Sequence, residues 1–253
     1  MIEPNPNLDQ TSVLDDVRRA LGRSATVAPV PLDPFIEPIV PADAGELIVR
    51  FTEEATAVRA KVYLMSDKLR FIADGREQSA TQPIDKQEFI GQVVDKIAEI
   101  CAAYKGQEIA LSSTELFAEM NLASALAARG FSTFVPHETD HEKLVARLAN
   151  CGVGLTAADY AIAETGTIVL SSDEANALLV SLLPPVHIAV LRSSQIAASL
   201  DEVISKLSGE RISRASPSRS VTLITGPSRT SDVELVLSIG VHGPKELHVI
   251  ILD

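Results

Sequence analysis

The spacing of apolar positions divides the chain near residue 42. Before it, "SVLDDVRRAL" sets Val13, Leu14, Val17 and Leu21 at helical spacing. Then Pro29, Pro31, Pro34, Pro38 and Pro41 forbid regular helix and favour an extended path. Residues 1–42 therefore read as an N-terminal helix followed by a proline-rich arm. Apolar residues from Val27 to Val40 punctuate the arm, which favours its lying on a surface over its waving in solvent.

From Asp43 helical and strand-like patterns alternate, which predicts an α/β domain over 43–253. "LIVRFTEEATAVRA" places Leu47, Phe51, Ala55 and Val58 on one helical face, and "KVYLM" follows as a strand. "EFIGQVVDKIAEICAAY" is amphipathic along Phe89, Val93, Ile97 and Cys101, with Gly106 as its predicted C-terminal cap. "EIALSSTELFAEMNLASALAARGFSTFVP" reads as strand, helix and strand; "HETDHEKLVARLANC" as a helix; "YAIA", "TIVLS" and "HIAVL" as strands; "QIAASLDEVISKL" as a helix. "SVTLITGPS" and "LHVIILD" are expected to close the sheet around a helix starting near Ser231. Three S/T-x-x-E pairs, Ser112 with Glu115, Thr139 with Glu142 and Ser231 with Glu234, have the spacing of capping boxes.

At 253 residues the chain is long enough to bury a large core without staples. Cys101 and Cys151 lie in no C-x-x-C or Cys/His cluster, so the expectation is two reduced thiols with no metal and no iron–sulfur cluster in this chain. A net charge of -12 argues against attraction to nucleic-acid phosphates. "MIEPNPNLDQTS" lacks a basic then apolar leader, and "NALLVSLLPPVHIAVL" is broken by Pro184, Pro185 and His187. The expectation is a cytoplasmic protein with no membrane span.

Three stretches carry unusual chemistry, and all three are expected where loops leave the carboxyl ends of strands. In "ADYAIAETGTIVL", Glu164 precedes Thr165, Gly166 and Thr167, a carboxylate beside hydroxyls and a permissive backbone. The alternative is a strand-connecting turn with a solvated glutamate. In "LITGPSRTSDVEL", Gly226, Ser228, Arg229 and Thr230 precede a predicted helix start that could hold an anion, or else simply cap itself. In "SIGVHGPKELHVIILD", His242 lies between glycines with Lys245 beside it, a titratable group able to approach a ligand, or an ordinary loop histidine. Glu164 and His242 are the candidate catalytic residues; Thr165, Gly166, Thr167, Gly226, Ser228, Arg229, Thr230 and Lys245 are the candidate ligand-binding ones. His137 and His141 have i, i+4 spacing, but no third metal ligand is marked. Neither G-x-x-x-x-G-K-[ST] nor G-x-G-x-x-G occurs.

"DYAIAETGTIVL", "LLPPVHIAVL" and "GPSRTSDVELVLSIGVHGPKELHVIILD" together resemble the LUD-domain family, which includes C-type lactate utilization proteins, over roughly residues 45–253. The resemblance implies a fold similar to the NagB/RpiA/CoA-transferase group, a mostly parallel sheet flanked by helices. It implies a place in the oxidation of L-lactate to pyruvate beside iron–sulfur partner proteins, the clusters sitting on those partners. The family's recurring positions fall on Glu164 to Thr167, on Gly226, Pro227, Ser228, Thr230, Asp232 and Glu234, and on Gly240 and His242 to Lys245. A small anionic ligand or a partner surface is expected at these loops, and the resemblance does not decide whether the chain is itself an enzyme. Two other readings stand beside it: an acyl-CoA or phosphosugar-handling enzyme of the same fold group, with Glu164 as nucleophile, and a non-catalytic interaction module.

Overall fold

The computed structural model describes residues 19–20, 43–67, 69–71, 77–79, 84–104, 107–136, 140–172, 175–213, 220–231, 237–240 and 242–253. Contacts divide the chain into two units, 1–38 and 39–253. Apart from the helical pair Arg19 and Ala20, every described residue belongs to the second, so the rest of the predicted helix and arm lies outside the described residues.

Helix α1 (Ala44–Ala57) starts at Asp43, whose carboxylate accepts the Gly45 N–H, and buries Ile48, Phe51 and Ala55. Strand β1 (Lys61–Met65) follows, then a small hairpin of β2 (Leu69–Phe71) and β3 (Glu77–Ser79). Helix α2 (Lys86–Cys101) buries Val93, Val94, Ile97 and Cys101 as the periodicity predicts. It runs directly into a 3₁₀ turn at Ala102–Tyr104, so the helix stops before the predicted cap, Gly106, which lies outside the described residues.

Strand β4 (Ile109–Leu111) leads into two short helices, α3 (Glu115–Glu119) and α4 (Leu122–Ala127), broken at Asn121, whose φ is 46°. The cap of α3 is Thr114, whose hydroxyl accepts the Phe117 N–H, and not Ser112. Ser112 still belongs to the sheet, donating its N–H to Leu155 O. Strand β5 (Thr133–Phe134) precedes α5 (His141–Ala149), where Asp140 is the cap. Thr139, the predicted cap, lies outside the described residues.

Strand β6 (Val153–Ala157) is followed by β7 (Tyr160–Ile162), β8 (Thr167–Ser172), α6 (Ala175–Leu182), β9 (Val186–Arg192) and β10 (Ile196–Ala197). Helix α7 (Leu200–Ser213) begins later than "QIAASLDEVISKL" suggests, because Ile196–Ala197 pairs with β7 as a strand. The last elements are β11 (Ser220–Ile224), β12 (Arg229–Ser231), β13 (Leu237–Ile239) and β14 (Glu246–Leu252).

Where a helix is predicted from Ser231, the described residues form an antiparallel pair instead, with Arg229 opposite Ile239 and Ser231 opposite Leu237, while 232–236 lie outside the described residues. The physical reason is in the sequence: Val233, Leu235, Leu237 and Ile239 alternate with period two, which is a strand pattern, and Ser231 lies in a strand.

Six strands form the central sheet in the order β1-β14-β9-β6-β4-β5, every pair parallel. Its inner strands are nearly continuous apolar runs because both faces are covered. On one face α2, α3 and α4 contribute Val93, Leu116 and Leu122 against Leu155, Ile188 and Ile250. On the other, Phe51 and Ala55 of α1 join Ile168 and Leu170 of a second sheet against Ala189, Val249 and Ile251.

That second sheet runs β10-β7-β8-β11, and α7 covers it through Val203 and Leu207. The strands expected to close one sheet thus separate: β11 is the edge of the second sheet, while β14 lies inside the first. The architecture is the expected α/β one, a mostly parallel sheet flanked by helices. Helix α6 lies so close to β6 that a Cβ at Gly154 would meet Val180 O at 2.0 Å.

Two histidines are buried inside the central sheet, His187 at 1% exposure and His248 at 5%. His187 Nε2 lies 2.8 Å from Thr156 Oγ1, while among the described residues Nδ1 has no partner. Burial, helped by the neighbouring His248, pushes the His187 ring down to about 3. The unfolded chain's histidine, titrating near ~6.5, therefore takes up its proton first as the pH falls. Stability is present above about pH 6.5 and is lost below it, at roughly 1.4 kcal/mol per pH unit for each such histidine. Burial also lowers His248, which adds to the loss in the same direction. Urea unfolding from pH 7 to pH 5 is expected to show roughly 2 kcal/mol lost through His187 alone. His187→Gln should remove that share; an unchanged slope would contradict the assignment.

Candidate functional site

The turn between β7 and β8 carries Glu164, Thr165 and Gly166, and these two strands pair as an antiparallel hairpin. The Ala163 and Glu164 N–H groups donate to Ala197 O and Ala198 O, so the turn is held against β10. Glu164 Oε1 accepts the Leu200 N–H at 3.0 Å, the first amide of α7. A carboxylate there satisfies an orphan donor and faces the positive end of the helix. Glu202 and Ser199 complete the same helix start: Glu202 Oε2 accepts the Ala198 N–H and Ser199 Oγ accepts the Glu202 N–H.

Gly166 has φ +61°, and a Cβ there would lie 2.1 Å from Ala55 N, so the turn rests directly on the last turn of α1. Gly226 repeats the arrangement from the second stretch, with φ +79° and a would-be Cβ 2.5 Å from Val58 O. Arg229 donates to that same Val58 carbonyl at the C-terminal end of α1, where a cation complements the helix dipole.

A line of hydroxyls joins the first stretch to the second: Thr165 Oγ1 to Thr167 Oγ1 at 2.7 Å, and Thr167 Oγ1 to Thr225 Oγ1 at 2.7 Å. The third stretch joins the second through backbone: the Ser228 N–H donates to Pro244 O, and the Gly240 N–H to Ser228 O. A Cβ at Gly240 would sit 2.2 Å from Lys245 Cγ, so the lysine stem lies across that glycine. The backbone of Thr230 pairs with Ser238. Asp232, Glu234 and Val241 lie outside the described residues, as does His137 of the two-histidine pair.

The three stretches are thus brought to one junction, but not to the edge of the sheet where they were expected. Val58 precedes β1, and the Lys245 N–H donates to Pro185 O immediately before β9 and β14 begin. This is the amino-terminal edge of the central parallel strands. Thr165, Thr225, Arg229, His242 and Lys245 are all exposed there. Glu164 is half-buried and engaged with α7, and among the described residues no hydrogen bond joins it to Arg229 or His242.

Beside the junction lies a polar cluster that the sequence reading did not single out. Lys61 Nζ contacts Glu246 Oε2 at 2.6 Å, Glu246 Oε2 contacts His248 Nε2 at 3.2 Å, and His248 Nδ1 contacts Tyr63 OH at 3.2 Å. Lys61 holds the Glu246 carboxyl below the usual carboxylate range. The available signal was the i, i+2 spacing of Lys61 with Tyr63 and of Glu246 with His248, which sets each pair on one face of its strand.

The carboxyl edge holds a cavity of about 430 Å³ between α2, α3 and the ends of β9 and β14. Its walls combine apolar Phe89, Leu116 and Met120 with Lys86, Arg192 and Ser193. None of those three polar residues belongs to a motif. Among the described residues no cluster of three His, Cys, Asp or Glu side chains is placed to hold a metal ion, and no helix is long and apolar enough to cross a membrane.

A model of the LUD domain matches residues 48–252, most of the chain. The chain belongs to the LUD domain family. Among its relatives in that family, lactate utilization protein C of Shouchella clausii is 26% identical over 254 residues, covering 97% of this chain and 98% of that protein. Lactate utilization protein C of Halalkalibacterium halodurans is 31% identical over 173 residues, 66% of this chain and 72% of that protein. Lactate utilization protein C of Bacillus subtilis is 29% identical over 164 residues, 63% of this chain and 68% of that protein. The crystal structure of a DUF162 family protein from Deinococcus radiodurans superposes with a TM-score of 0.54 at 19% identity, over 84% of this chain and all of that one, which shows the shared fold.

Proposed function

We propose that this LUD domain chain serves in lactate utilization, as a component without a cluster of its own that works beside iron–sulfur proteins oxidising L-lactate to pyruvate. The names of its relatives support the setting. The observation that carries the reading to particular residues is the junction: three separate stretches are joined at the C-terminal end of α1, where five of their polar side chains are exposed.

An exposed, hydroxyl- and cation-bearing face suits the surface of a partner protein, with a polar rim able to exchange water for hydrogen bonds. It suits a small anion as a second reading, because among the described residues neither His242 nor Lys245 forms an ion pair, and both are exposed.

The chain's own thiols do not suit cluster ligation. Cys101 and Cys151 belong to different core clusters, and burial pushes them up to about 12 and about 11, so both remain protonated near neutrality. Electron-carrying centres therefore belong on the partners in this reading. Glu164 acts here as a helix cap and hairpin residue, which supports a binding role for the junction over a nucleophilic one.

The experiment is deletion of the gene in its native host, in a strain without a second copy. Growth on L-lactate is expected to be lost and growth on pyruvate kept, with the intact gene restoring the former. Undiminished growth on L-lactate would overturn the reading.

A further inference from the structure

We propose that the cavity at the carboxyl ends of β9 and β14 is a binding site for an amphipathic organic acid larger than lactate, a carboxylate carrying an alkyl or aryl body. In parallel α/β sheets ligands gather beyond the carboxyl ends of the strands, and this cavity occupies that place while the sequence-marked loops occupy the opposite edge. Its volume, about 430 Å³, falls within the range of small-molecule sites, and a three-carbon acid would leave most of it empty.

The lining combines apolar surface with cations, the two elements such a ligand requires. Phe89, Leu116 and Met120 supply an apolar wall, and the unbranched thioether of Met120 adapts to differing shapes. The same cavity is lined by Arg192 at the end of β9, Ser193 beside it and Lys86 at the start of α2, together with the carboxylates Glu119 and Asp253. Arg192 Nη2 contacts Glu119 Oε2 at 3.0 Å, and both side chains are nearly half exposed, at 49% and 43%. A pair so open to water contributes little stability. An incoming carboxylate can replace Glu119 on the guanidinium at small cost, taking its two parallel donors. Among the described residues Lys86 forms no ion pair and is exposed, which leaves a second cation for the same carboxylate. Asp253 Oδ1 accepts the Ser193 hydroxyl at 2.9 Å, and among the described residues no ion pair joins Asp253 to Arg192.

The full-length protein is titrated with 8-anilinonaphthalene-1-sulfonate, an aryl sulfonate of the proposed chemistry, and octanoate or L-lactate is added as competitor. One saturable site is expected, from which octanoate displaces the probe and equimolar L-lactate does not. Arg192→Gln is expected to weaken octanoate about tenfold. Met120→Trp, which narrows the cavity, should weaken probe binding; if that variant fails to fold, the exposed Arg192→Gln decides. Absence of saturable binding, equal displacement by L-lactate, or octanoate affinity unchanged in Arg192→Gln would each overturn the proposal. Growth on L-lactate does not enter the test, so its result stands apart from that of the lactate reading.

Discussion

Gly154→Ala is expected to lower the melting temperature by roughly 8–16 °C, equivalent to about 4 kcal/mol for a unit of this size. The new Cβ would lie 2.0 Å from the backbone oxygen of Val180 and 3.1 Å from Pro184 Cγ. A backbone oxygen inside a helix cannot swing aside as a side chain can, so α6 must lift from β6. Val180 is fully buried with Ala110, Phe134, Leu144 and Leu148, and lifting the helix opens that cluster to voids. Gly91→Ala is the control of opposite sign. Nothing lies within 4 Å of its would-be Cβ in the middle of α2, and alanine there should add about 0.5–1 kcal/mol. Thermal unfolding followed by far-ultraviolet circular dichroism separates the two; equal shifts would refute the contact argument.

The second large effect is expected at Gly166→Ala, where two costs combine. A side chain at φ +61° carries backbone strain of about 1–2 kcal/mol. Its Cβ would also meet Ala55 N at 2.1 Å and Ala55 Cα at 2.5 Å, pushing the hairpin turn off the end of α1. A total loss of about 3–5 kcal/mol follows. The damage should be local in origin: amides in the last turns of α1 exchange hydrogen faster, while those of α2, on the other face of the sheet, keep their protection relative to global unfolding. Protection of α1 left as in the native protein would show that the turn and helix are not coupled through this glycine.

The elements that the sequence disclosed are those with a long, clean period. The helices α1 and α2 and the strands β1, β7, β8 and β9 stand close to where the apolar spacing puts them. Strand β6, "VGLTA", and helix α6, "ANALLVSL", have no assignment of their own from the sequence, because a short apolar run fits either state. The β12–β13 pair was hidden by a capping-box spacing, Ser231 with Glu234, that a strand alternation outweighs.

The same limit applies to the site. Chemistry-bearing stretches were visible one at a time, but their placement depends on two sheets stacking, which no local pattern encodes. Thr167 meets Thr225 only because β8 and β11 pair, and Ser228 meets Pro244 only because the β12–β13 pair folds back beside β14. The cavity was illegible for the same reason. Lys86, Glu119 and Arg192 come from three distant segments, each an ordinary surface charge when read alone.

On the proposed reading, the junction at the amino-terminal edge is the surface through which this LUD domain protein works in lactate utilization. Its most direct test is complementation of the deletion strain with a chain carrying His242→Ala and Lys245→Gln. Both positions are exposed, and glutamine keeps the part of the lysine stem that lies over Gly240. At protein levels equal to the native chain, this variant is predicted to leave growth on pyruvate intact and to fail on L-lactate. Growth on L-lactate as fast as with the native chain would contradict the claim.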